Sequence, residues 1–159
     1  MRVWKATTRS LGLRYQPFEI GGTSSIAWTS AQWSADFADA FAAIKAAHPG
    51  ALFVGEGWPI TTAGSRRIVE FTMQSKMPAM FVLPGYVAIG GLLEYVTSDS
   101  ERIERATALI DLILKGAKPG DLPVEQPTKF ELLINLKTAK ALGLTLPPSL
   151  LLRADQVIE

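Results

Sequence analysis

Two spacings of apolar residues alternate along this chain. From Ala35 to His48 the apolar positions Phe37, Ala40, Phe41, Ile44 and Ala47 recur three and four apart, which predicts an amphipathic helix. Asp36 and Asp39 then fall in its first turn, where carboxylates complement the helix dipole. Ala51 to Gly55 is an unbroken apolar run flanked by Gly50 and Glu56-Gly57, the pattern of a strand buried on both faces of a parallel sheet. A second helix is expected from about Thr62 to Lys76, and after Pro78 the run Ala79 to Leu83 repeats the buried-strand pattern. Gly90-Gly91 breaks the chain before another strand candidate, Leu92 to Val96. Ser98 can then cap a helix from Asp99 to Lys115, with Ile103, Ala106, Ile110, Ile113 and Leu114 on one apolar face.

The two ends carry weaker patterns. Val3 to Leu11 can form a short helix stopped at Gly12, and Leu13 to Ile20 alternates loosely as a strand candidate. Gly21 to Ser34 is rich in Gly, Ser and Thr but carries Trp28 and Trp33, and reads as a long connection. Beyond Gly116, the prolines at 119, 123 and 127 keep the chain extended, because proline fixes φ and lacks a backbone donor. Phe130 to Ile134 is a strand candidate, Asn135 caps a helix ending at Gly143, and Pro147-Pro148 reads as a stop. Strands and helices alternating at these intervals predict an α/β fold with an open, mainly parallel sheet and helices on both faces.

Composition narrows the functional classes. With 159 residues, 48% of them hydrophobic, the chain suits one globular domain with a sizeable core and leaves no room for a second. Sixteen basic residues against fifteen acidic ones give a net charge of +1, so no broad field draws nucleic acid or an anionic membrane. The clusters Arg66, Arg67, Lys76 and Lys137, Lys140, Arg153 are too sparse in charge and aromatic residues for nucleic-acid contact and read as solvated helix faces. Without cysteine there is no disulfide or thiolate zinc site. The start of the chain, Met1 to Arg9, is too polar for a signal peptide, and no window is apolar enough to span a bilayer.

In an open parallel sheet, ligands bind beyond the carboxyl ends of the strands. The loops there are Gly21 to Trp33, Glu56 to Thr62 and Pro84 to Gly91. Glu56 and Trp58 follow the Ala51 strand directly, so a carboxylate and an indole could face a cleft together, one for an ammonium group and one for an aromatic or cationic ligand. The plainer alternative has Trp58 covering the sheet edge and Glu56 solvated. Thr61 and Thr62 can orient a ligand carboxylate at a helix N-terminus, but capping that helix uses the same hydroxyls. Tyr86 and Tyr95 each offer a ring and a hydroxyl, with packing as the competing role. Nothing resembles a catalytic centre: the single histidine, His48, ends a helix before Pro49, and no nucleophile elbow, phosphate loop or metal-spaced cluster occurs. The expectation is a binding module with no cofactor, no metal and no enzymatic activity.

The run LKGAKPGDLPVEQPTKFELLINLKTAKALGLTLPPSLLLRADQVIE, with Gly90-Gly91-Leu92 upstream, resembles the C-terminal end of the substrate-binding proteins of bacterial ABC uptake transporters, in the tryptophan/tyrosine-type group. The resemblance is long and specific over that tail and looser from Ala40 to Leu93. It implies two α/β lobes joined by a hinge, in an exported protein of roughly twice this length. On that pattern residues 1–90 form the C-terminal lobe, 91–118 a strand and helix of the other lobe, and 119–159 a crossing and a return, with Leu122 to Pro127 among the hinge segments. Relatives commonly have Ser-Tyr-Gly where this chain has Glu94-Tyr95-Val96. The resemblance also implies a small organic ligand such as an amino acid, an ABC permease as partner and a periplasmic location. The polar N-terminus points instead to a fragment or to a cytoplasmic chain. A strand and helix without their own lobe would expose an apolar face, so a homo-oligomer is expected, with exchange of that segment between protomers as one form. The competing readings are a free-standing cytoplasmic sensor or assembly domain that reuses the lobe, and an α/β hydrolase-like enzyme.

Overall fold

The structure is a computed structural model and describes residues 7–18, 30–55 and 62–159. It divides into two compact units, Met1–Pro49 and Gly50–Glu159. In the first, residues 7–10 form a helical turn and residues 13–18, expected to be part of a strand, have no regular structure. Helix α1, Ser30–Ala47, buries Phe37, Ala40 and Ile44, with the rings of Phe37 and Phe41 5.5 Å apart. It begins five residues before the expected start, because no Gly or Pro interrupts Ser30 to Ser34. Asp36 and Asp39 therefore lie beyond the first turn, and the dipole does not explain them. His48 ends the helix in a left-handed conformation, with φ +46°.

The second unit is a sheet of five strands in sequence order: β1 (Leu52–Val54), β2 (Ala79–Phe81), β3 (Leu93–Thr97), β4 (Phe130–Asn135) and β5 (Gln156–Ile158). Three pairings, β1 with β2, β2 with β3 and β4 with β5, are parallel; β3 and β4 are antiparallel. The expected α/β, mainly parallel sheet is thus present. Parallel neighbours need a crossover between them. Helix α2 (Thr62–Gln74) supplies the first, burying Ile68, Val69 and Phe71, each worth about 1.5–3 kcal/mol of apolar burial. Helices α4 (Leu136–Ala141) and α5 (Pro148–Leu151) lie between β4 and β5. The Pro147-Pro148 pair does not stop the chain but opens α5, Pro147 in the N-cap place and Pro148 in the first turn, where a missing N–H is harmless. At the edge, β1 is less buried than its apolar run predicts: Phe53 is 41% exposed, whereas Phe81 at the end of β2 is fully enclosed.

The strand expected at Leu92 to Val96 is β3, and its first residues pair with β2: Leu93 lies in register with Met80 and Glu94 with Phe81, so its polar residue Glu94 is a central-strand position. The helix after it, α3 (Asp99–Leu114), starts at Ser98 without the expected capping bond; the Ser98 hydroxyl pairs instead with that of Ser100 at 2.9 Å. No residue of α3 is buried.

Residues 82–92 return the chain from β2 to β3 and fold tightly. The Gly91 N–H donates to the Tyr86 carbonyl at 2.7 Å, and a Cβ on Gly91 would lie 2.8 Å from that oxygen and 3.0 Å from the Phe81 ring. The start of α4 holds the same loop. Asn135 accepts from the Thr138 N–H at 3.0 Å, the expected cap, and its amide donates to the Val87 carbonyl at 3.2 Å. The Thr138 hydroxyl donates to the Gly90 carbonyl at 2.9 Å.

Gly91→Ala is expected to destabilise the chain by about 1–3 kcal/mol in urea unfolding, since the nearest obstacle is a backbone oxygen that cannot rotate away; a change under about 0.5 kcal/mol, within the range of ordinary surface substitutions, would remove the steric argument. Asn135→Ala removes a cap and one of the two bonds to the Val87 carbonyl, which keeps the Gly90 N–H at 3.2 Å, and should cost about 1 kcal/mol in the same measurement. A neutral result there would mean that α4 does not depend on its cap.

Candidate functional site

The carboxyl ends of β1 and β2 define one end of the sheet, and the loops that leave it are where a ligand would meet this unit. Of the sequence-derived candidates, Glu56, Trp58 and Thr61 lie outside the described residues. Trp28 does too, and Trp33 falls in the first turns of α1 rather than in a loop. Tyr86 and Tyr95 are described, and they lie in different environments.

Tyr86 is 2% exposed, its ring stacked on Phe81 with centroids 4.2 Å apart and planes 16° off parallel. That is a core aromatic, so a ring contact to ligand is not available in this conformation. The phenolic oxygen is enclosed, and burial raises its pKa above the ordinary phenol value, opposed in part by a hydrogen bond with the Ser65 side chain. The packing role weighed against ligand contact is the one the geometry supports.

Tyr95 stands on the opposite face of β3 from the buried Glu94 and Val96, since side chains alternate along a strand. It is 42% exposed and stacks on Phe130, 45% exposed, at 5.4 Å and 14°. Beyond Glu94, β3 has left β2, and before Leu133, β4 has not yet reached β5. Residues 95–97 and 130–132 therefore form a two-stranded ribbon leading away from the sheet, with Asp155 bonded to the Leu132 N–H at 2.8 Å at its base. At the far end the ribbon is locked to α3. Glu101 accepts from the Thr128 hydroxyl and the Lys129 N–H, and these bonds hold its carboxyl below the usual range. The bonds weaken only as pH falls through that lowered value, so the lock is intact at neutral pH. Arg105 approaches Glu125 at 3.5 Å on the same side.

Glu94, which sequence reasoning noted only as a departure from its relatives, turns out to organise the loop. Its side chain is 2% exposed; one carboxylate oxygen accepts from the Gly85 N–H at 3.1 Å and the other from the Val87 N–H at 3.0 Å. A charged residue inside a run of Leu, Tyr and Val was the available signal, because a buried carboxylate needs donors nearby. Among the described residues no group of three or more His, Cys, Asp or Glu is arranged to hold a metal ion, and no helix is long and apolar enough to cross a membrane.

The comparisons with known proteins fit this arrangement. The crystal structure of an ABC domain from Streptococcus pneumoniae in complex with L-Trp superposes with a TM-score of 0.80 at 27% identity, over 99% of this chain and 49% of that one. A conserved domain protein from Vibrio cholerae O1 superposes at 0.76 and 22% identity, again over 99% and 49%. The open, ligand-free substrate-binding protein CD0873 from Clostridium difficile, which has adhesive properties, superposes at 0.58 and 16% identity over 99% and 48%; these last two show likeness of fold alone. The chain thus spans about half the length of each solved relative. No curated protein matches it. The family profile described as "ABC transporter substrate binding protein" covers residues 25–158, nearly the whole sheet-bearing unit and all of α1, and the chain belongs to the ABC transporter substrate-binding protein family.

Proposed function

We propose that this chain is the C-terminal lobe of a solute-binding protein that captures a small organic molecule, such as an amino acid, and delivers it to an ABC permease outside the cytoplasmic membrane. The observation that carries the reading is α3. It follows a ribbon that has left the sheet, is 16 residues long and buries none of them, while Ile103 is 63% and Leu114 82% exposed. A helix with an apolar face open to water is expected to have a partner. A second lobe, of the size by which the solved relatives exceed this chain, would supply one. The relative with L-Trp bound supports an aromatic amino acid as the solute class. On this reading the solute lies between the lobes, beyond the carboxyl ends of β1 and β2, with Glu56, Trp58 and Thr61 on the loop after β1 and Tyr95 on the ribbon. Closure bends the ribbon, together with the proline-rich stretch from Leu122 to Pro127. The mechanism is capture and release, with no bond made or broken.

A second reading, a free-standing assembly domain, is favoured by the same helix face if its partner is another copy of the chain. The two readings separate in the genome and in solution. Import predicts an in-frame lobe and leader encoded upstream of Met1, with permease and ATPase genes alongside; their absence would favour assembly.

Because half the pocket would come from the other lobe, calorimetry on the 159-residue chain with L-tryptophan should detect no binding tighter than about 1 mM. A micromolar Kd would overturn the two-lobe pocket. Alone, the chain should bury the face of α3 by self-association and sediment as a dimer at micromolar concentration. Ile103→Glu with Ile110→Glu should return it to a monomer with an unchanged circular dichroism spectrum. A well-ordered wild-type monomer would contradict the self-association.

A further inference from the structure

We propose that Glu94 is a positioning residue, and that the Gly85 and Val87 amides form a carboxylate receptor which the chain fills with its own side chain. The inference rests on the proposed function in one respect, that the loop from Pro84 to Gly91 forms part of the solute-facing wall.

The receptor is built rather than incidental. Two backbone N–H groups, one residue apart, address two different oxygens of the same carboxylate at 3.1 and 3.0 Å. Glu94 is 98% enclosed on this basis, 2% of its surface being exposed. Among the described residues its polar contacts are those two amides, and the ion pairs Arg102–Asp99, Arg105–Glu125 and Lys115–Asp111 do not involve it. A carboxylate buried without a cation is strongly disfavoured unless hydrogen bonds replace its hydration. The two amides are therefore what make Glu94 tolerable in a central strand, and Glu94 is what fixes the amides. On its opposite side the loop is held through its carbonyls by Asn135 and Thr138. Donors and acceptors of one short loop are thus satisfied from β3 and from the start of α4, and the loop is set before any solute arrives. Preorganisation of this kind lowers the ordering penalty of binding.

With the side chain cut back to a methyl, as in Glu94→Ala, both amides lose their acceptor, and a free small carboxylate can take the place that Glu94 fills. The chemical class is a monocarboxylate small enough for the space of the missing side chain, such as formate or acetate.

The test uses amide hydrogen exchange by NMR on the full chain and needs no solute, so its failure leaves the transport reading standing. In Glu94→Ala, exchange at Gly85 and Val87 should accelerate by about tenfold or more, the scale of a lost charge-assisted hydrogen bond. Formate or acetate should restore protection with a saturating dose response in the variant, at constant ionic strength against chloride, and should leave wild type unchanged. Unchanged exchange in the variant, or a carboxylate effect equal in wild type, would overturn the proposal. Should Glu94→Ala not fold, Glu94→Gln decides: an amide offers one acceptor oxygen, so one of the two N–H groups should lose protection while the other keeps it. Full protection of both in that variant would show that the carboxylate is not what holds the loop.

Discussion

The antiparallel ladder between β3 and β4 is the constraint from which the second unit follows. It fixes Leu93 opposite Ile134 and Thr97 opposite Phe130, in the middle of a sheet whose other pairings are parallel. One end of that ladder is enclosed, with Ile134 fully buried and β2 and β5 on either side. The other end runs free of both neighbours and carries α3. A single register therefore decides both where the core closes and where the chain leaves it. A slip by one residue would turn Glu94 away from its amides and Tyr95 into the core.

Around the ladder, buried polar groups are used as fasteners. Glu94, Asn135 and Thr138 all bond the same return loop, reaching Gly85, Val87 and Gly90 from two separate elements. Ser98, also buried, accepts no capping role but has its N–H bonded to the Lys129 carbonyl at the foot of α3. Such groups are disfavoured inside a protein unless paired, so their pairing defines one loop conformation rather than many. The apolar core sets the stability, and the polar contacts set the geometry.

Much of this was legible in the residues. The helical period of Phe37, Ala40 and Ile44, the apolar run of β2, the Asn135 cap and the glycine at 143 with φ +73° are local signals, and local signals survive in the fold. The family was legible as well, from the long tail after Leu114. What failed depended on tertiary context. Residues 30–34 look like loop by composition but extend a helix, and β5 is three residues with no alternation to mark it. Tyr86 and Tyr95 read alike in one dimension. They differ because one faces Phe81 in the interior and the other stands on a ribbon already clear of its neighbours.

The ribbon has a mechanical corollary. A single connecting peptide lets the bodies at its two ends swivel freely, since each backbone torsion is an independent axis. Two peptides bonded side by side, as at residues 95–97 and 130–132, cannot rotate about one another without breaking the ladder. Whatever α3 is attached to is therefore left with flexing as its soft degree of freedom, and the Glu101 lock makes helix and ribbon travel together. The direction of that movement is encoded in the pleat of two short strands.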